Sequence, residues 1–166
     1  MVFLLSGVSG SGKSTFYKNN HTDKGIYINP DSIRKDVCGN INDQSQNSKV
    51  WKIAYDSLRT ACEEGVDEIW FDATTLSCSS VKTVLEIASL YKQNVVLYVM
   101  QDSLNKNLCI ERIKNDIDNS VDRANVPVDV VNSQFSRFMI MYENMDENLA
   151  RWRKEFSNIK IFVVYK

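Results

Sequence analysis

Gly7-Val8-Ser9-Gly10-Ser11-Gly12-Lys13-Ser14-Thr15 is a run of small and hydroxyl-bearing residues that carries a lysine directly after its last glycine. It fits G-x-x-x-x-G-K-[ST], the spacing of a loop that wraps a chain of phosphates. Gly7, Gly10 and Gly12 let the backbone turn several N–H groups inward, a fold that side chains would obstruct. Lys13 supplies a point charge for the outer phosphates, and Ser14 offers a hydroxyl to Mg²⁺. Ser9, Ser11 and Thr15 complete the lining of the same loop. A glycine-serine turn that binds nothing is the plain alternative, but such a turn does not require a lysine at that place. ATP with Mg²⁺ is therefore the expected ligand.

Two further carboxylates sit where chemistry could use them. Asp31 follows Pro30 and precedes Ser32-Ile33-Arg34. It suits either the carboxylate that takes a proton from an acceptor hydroxyl or a plain helix N-cap, and the local sequence fits both equally. Arg34 lies one helical turn on, either reaching an acceptor phosphate or standing as a solvated charge. Asp72 ends the apolar run Ile69-Trp70-Phe71. A carboxylate there serves Mg²⁺, caps the next helix or holds Arg34.

These residues need elements to hold them. Apolar, β-branched runs predict strands at 2–6, 26–28, 68–72, 94–100 and 159–164. Helical patterns predict helices at 13–20, 31–37, 47–64, 78–92, 103–116, 127–141 and 143–155. Strands alternating with helices imply a parallel sheet between helical layers, with ligands beyond the carboxyl ends of the strands. The expected fold is an α/β P-loop NTPase three-layer sandwich, a five-stranded parallel sheet with helices on both faces, forming one domain over 1–166. The glycine loop and Asn29-Pro30-Asp31 each follow a predicted strand and Asp72 ends one, so all three converge on one rim.

Composition narrows the partners. The 166 residues contain 43% hydrophobic types, enough for a full core, and carry a net charge of −1. A large basic surface for nucleic acid is not evident. No run reaches transmembrane length and the first residues lack the basic start of a signal peptide, so a cytoplasmic place with no membrane partner is expected. Cys38, Cys62, Cys78 and Cys109 form no C-x-x-C pair, and His21 is the only histidine, which speaks against zinc. Trp51, Tyr55, Leu58 and Cys62 recur at helical spacing and predict a packed face rather than a stacking platform, as do Phe135, Phe138, Met139 and Tyr142.

The ordered series G-x-x-G-S-G-K-S-T, Ile28-Asn29-Pro30-Asp31-Ser32-Ile33-Arg34, Asp72-Ala73-Thr74 and Val126-Pro127 resembles the phage-type polynucleotide 5′-kinase family. The resemblance covers positions 7 to about 135. It implies ATP on the glycine loop, Asp31 as general base towards a 5′-hydroxyl of DNA or RNA, and Arg34 on the phosphate at the acceptor's 3′ side. It also implies a small helical lid at about 112–127, carrying an arginine that stabilises the transferring phosphate. Family members place two lid arginines four or five residues apart. Here Arg112 and Arg123 are eleven apart, with Asp116, Asp118 and Asp122 between them. Arg123, nearer to Val126-Pro127, is the first candidate for that arginine and Arg112 the second. A surface pair of Arg112 with Glu111 or Asp116 is the alternative. Thr75 stands where the family often has Asn. A kinase for a small-molecule acceptor, or a regulatory ATPase with no acceptor, would use the same donor loop.

Overall fold

Val2–Ser6 (β1) is apolar on both faces, and the chain places it at the centre of a five-stranded sheet. In the computed structural model, which describes residues 1–121 and 123–166, the other strands are Ile26–Ile28 (β2), Ile69–Asp72 (β3), Val95–Val99 (β4) and Ile161–Tyr165 (β5). Asp122, one of the acidic residues between the two arginines, lies outside the described residues. The strand order is β2-β3-β1-β4-β5 and every pairing is parallel. Leu5 of β1 is in register with Asp72 of β3 and with Tyr98 of β4. The loops that leave β1 and β3 therefore rise side by side, the position where open α/β sheets take their ligands.

Among the described residues seven α-helices connect these strands: Lys13–Asn20 (α1), Pro30–Cys38 (α2), Asn47–Glu63 (α3), Cys78–Leu90 (α4), Lys106–Asp118 (α5), Val128–Glu143 (α6) and Met145–Glu155 (α7). The expected helix from 103 instead divides. Gln101–Leu104 is a 3₁₀ turn, and α5 starts after Asn105, whose side chain accepts from the Leu108 N–H at 3.1 Å. An N-capping asparagine fixes the start of a helix, so the periodicity before it cannot extend α5 backwards.

Alternation along the strands sorts the core. Leu4, Ile69, Phe71, Val95, Leu97 and Val99 join one buried cluster with Leu58, Leu85, Phe138 and Trp152 from α3, α4, α6 and α7. On the opposite face Phe3 stacks on Trp70 at 4.7 Å, and α1 lays Phe16 and Tyr17 over the same aromatic strip. Cys62 and Cys109 are buried as small hydrophobes, and burial pushes the Cys62 thiol up to about 11. Among the described residues no helix is long and apolar enough to cross a membrane.

Candidate active site

The glycine loop is pinned from outside its own sequence. The Val8 N–H donates to Ser103 Oγ at 3.0 Å, and the Ser9 N–H donates to Gln134 Oε1 at 2.9 Å. Gly10 and Gly12 adopt φ of 84° and 89°, where a side chain is strained. A Cβ on Gly10 would also run into the Cys109 carbonyl of α5, so α5 packs its backbone directly on the loop. Gly10→Ala is expected to cost about 1–3 kcal/mol, from the backbone strain alone. It should also weaken ATP binding, and thermal unfolding with and without nucleotide checks both effects.

Gly12 begins α1, and no side chain caps that helix or places a carboxylate in its first turn. Its N–H groups and its positive dipole end face the loop, which suits a phosphate. Lys13 is buried, with Nζ donating to the carbonyls of Gly7 at 2.9 Å and Val8 at 3.1 Å. Burial lowers its pKa, and the charges of Asp72 and Asp31 oppose that shift. The charge of Arg123 acts in the same sense as burial. Loop lysine, both candidate carboxylates and Arg123 thus share one electrostatic environment.

Asp72 is buried at the end of β3. Its Oδ2 accepts from Ser14 Oγ at 2.7 Å and from the Tyr27 hydroxyl at 2.5 Å. Asn29 Nδ2 donates to the Tyr27 oxygen at 3.1 Å and to the Asp72 carbonyl at 3.2 Å. Burial and then the Asp72 charge raise the Tyr27 pKa, which keeps its proton as a donor to Asp72. Asp72 neither caps α4 nor holds Arg34. Ser77 caps α4 through a reciprocal box with Ser80, and Arg34 pairs elsewhere. The Ser14 hydroxyl and the Asp72 carboxylate are hard oxygen donors, a set that fits Mg²⁺, which takes one or two protein oxygens and completes its shell with phosphate and water. Among the described residues no group of three His, Cys, Asp or Glu side chains gathers as a denser metal cage.

Asn29, not Asp31, caps α2, accepting from the Ser32 N–H at 2.9 Å. Asp31 sits inside the first turn with its carboxylate 53% exposed. Arg34 is buried, pairs with Asp31, and donates from NH2 to Asn47 Oδ1 of α3 at 3.2 Å. Its Nε is buried without a hydrogen-bond partner among the described residues. Neither the cap reading of Asp31 nor the solvated reading of Arg34 holds.

Arg112 reaches the loop. Its NH1 donates to the Gly10 carbonyl at 3.3 Å and pairs with Asp102 Oδ2 at 2.7 Å. It pairs with neither Glu111 nor Asp116. Arg123 takes Asp116 instead, at 2.5 Å. The Asn125 N–H donates to Asn42 Oδ1 at 2.8 Å, which ties the segment after α5 to the connection between α2 and α3.

The sequence matches the profile of the family described as AAA domain over residues 2–140. The chain belongs to the AAA domain family. Among curated proteins no match was found. Among solved structures, this AAA domain superposes on a chain of the Pnkp1/Rnl/Hen1 complex with a TM-score of 0.56 and 23% identity. The match covers 67% of this chain and 38% of that one. At that identity the likeness shows the fold, a P-loop α/β domain.

Three residues that bond to the candidate site in this AAA domain escape sequence reasoning. Tyr27 looks like one more apolar strand residue, and its only signal is a polar tip two positions before Asn29. Ser103 and Gln134 reach the loop from 95 and 125 positions away, distances at which no local pattern marks them.

Proposed function

We propose that this AAA domain is an ATP-dependent kinase that phosphorylates the 5′-hydroxyl end of DNA or RNA. The observation that carries the reading is the pair Asp31–Arg34. An open carboxylate stands on a buried guanidinium whose Nε has no partner among the described residues, and its field is felt at the loop lysine. A regulatory ATPase has no use for such a pair. The motif series gives the pair its meaning, and the shared P-loop fold accords with it.

Phosphoryl transfer asks the protein for positioning and charge rather than covalent chemistry. The loop N–H groups and Lys13 hold the β- and γ-phosphates. Ser14 and Asp72 would hold Mg²⁺, which neutralises charge on those phosphates when bound. Asp31 orients the acceptor hydroxyl and accepts its proton as the oxygen attacks the γ-phosphorus in line, with ADP as the leaving group. Arg34 takes the phosphate on the 3′ side of the terminal nucleoside. Arg123 meets the transferring group as charge spreads over it.

The test is incubation with γ-labelled ATP, Mg²⁺ and a panel of 5′-hydroxyl oligonucleotides, nucleosides and sugars. Label on the oligonucleotides is the expected result. Label confined to small acceptors replaces the acceptor with a metabolite. ATP consumption with no labelled acceptor makes the protein a nucleotide switch.

A further inference from the structure

A cavity of about 250 Å³ opens beyond the carboxyl end of β3, lined by Trp51, Tyr55, Thr74, Thr75, Ser80 and Arg137 among others. Three connections tie its lining to donor and acceptor groups. Thr74 and Thr75 of its lining come two and three residues after Asp72, and Ser6 Oγ, at the end of β1, donates to the Thr75 carbonyl at 2.5 Å. One wall is α3, where Asn47, Trp51 and Tyr55 recur every four residues on one stripe. Asn47 is the residue that accepts from Arg34, and Trp51 stands about 6 Å further along the helix axis. The other wall is α6, where Gln134 holds the Ser9 N–H and Arg137 follows three residues on.

The lining has the chemistry of a base site. Trp51 and Tyr55 lie 5.7 Å apart with their rings tilted by 30°, and they line the cavity together with Thr74, Thr75 and Ser80. Leu58 and Cys62, later on the same stripe, are fully packed, whereas Trp51 and Tyr55 are only half-buried. The Arg137 side chain makes one long contact, 3.5 Å to the Ser133 carbonyl of its own helix, and no ion pair among the described residues. The volume falls below the roughly 300–1,000 Å³ of a drug-sized site, which suits one ring system rather than a whole nucleotide.

We infer that this cavity receives the 5′-terminal base of the acceptor, stacked on Trp51, with Arg137 at its polar edge. The inference rests on the kinase reading above and names how the acceptor end is held once Arg34 takes its phosphate. Stacking on an aromatic platform tolerates any base, so the site would select for the presence of a base and not for its identity.

The test compares two 5′-hydroxyl oligonucleotides that differ only in a normal or an abasic first residue. With the wild-type protein, KM for the abasic end should rise about tenfold, with KM for ATP unchanged. Trp51→Ala should raise KM for the normal end by a similar factor and erase the difference between the two, and Trp51→Phe should preserve it. Tryptophan emission should fall on binding the normal oligonucleotide in the wild type and stay constant in Trp51→Phe, because Trp70 and Trp152 are buried elsewhere. Equal KM for both ends in the wild-type protein, or a Trp51→Ala loss that is equal for both, overturns the base site while leaving the kinase standing. Absence of label on any oligonucleotide removes the kinase reading and this site with it.

Discussion

Asp31→Asn is expected to lower phosphoryl transfer by about 10²–10⁴-fold, the contribution of a positioned general base. The substitution is nearly isosteric and keeps an oxygen for Arg34 to bond. It leaves the α2 cap untouched, because Asn29 supplies it. The fold should therefore survive, and so should the donor side, whose loop, Lys13 and Asp72 do not bond to Asp31. Single-turnover transfer alongside a calorimetric ATP titration separates the outcomes. A variant within a few-fold of wild type in transfer would leave Asp31 with no part in the chemistry. Loss of ATP affinity equal to the loss of rate would make it a donor-site residue instead.

The two arginines should separate in kinetics. Arg123→Ala is expected to reduce kcat by about 10³-fold or more, in the range of an arginine that meets the transferring phosphate. Arg112→Ala is expected to act mainly on ATP affinity. The difference follows from what each side chain holds. Arg112 already lies against the Gly10 carbonyl of the phosphate loop, so whatever it contributes is present before and during transfer alike, and such binding lowers KM rather than raising kcat. Arg123 is held by Asp116 and would have to exchange that carboxylate for the phosphoryl group, which favours a role realised only at the transition state. Steady-state constants for both variants decide it. If Arg112→Ala loses kcat at constant KM while Arg123→Ala is near wild type, the assignments are exchanged.

The chain shows some of this arrangement openly and hides the rest, for physical reasons. The glycine loop is legible because its backbone conformation admits few residues, and Gly10 against α5 shows how strict that demand is. The five strands are legible because parallel strands covered on both faces read as continuous apolar runs. Asp31 and Arg34 stand out in the sequence because they come soon after β2, and Asp72 because it ends β3. Their partners could not. That Asn29 caps α2, and so frees Asp31, depends on which of two neighbouring polar residues turns inward. That Tyr27 bonds Asp72 depends on strand pairing between β2 and β3. The stripe Trp51, Tyr55, Leu58, Cys62 was visible as a helical face. Periodicity, however, does not say where along its length that face stops meeting neighbours, and the first two side chains border a cavity while the last two fill the core.

Because all five strands run the same way, every group assigned a chemical task stands on the same edge of the sheet. The opposite edge holds the turns around Glu64–Gly65 and Tyr91–Gln93, where Gly65 has open space around it and the amino terminus bonds to Asp67 and Gln93. Surface attachment or a reporter dye at those turns would leave the reacting end facing solution. The molecule thus comes with a natural handle, set a full strand length from its working parts.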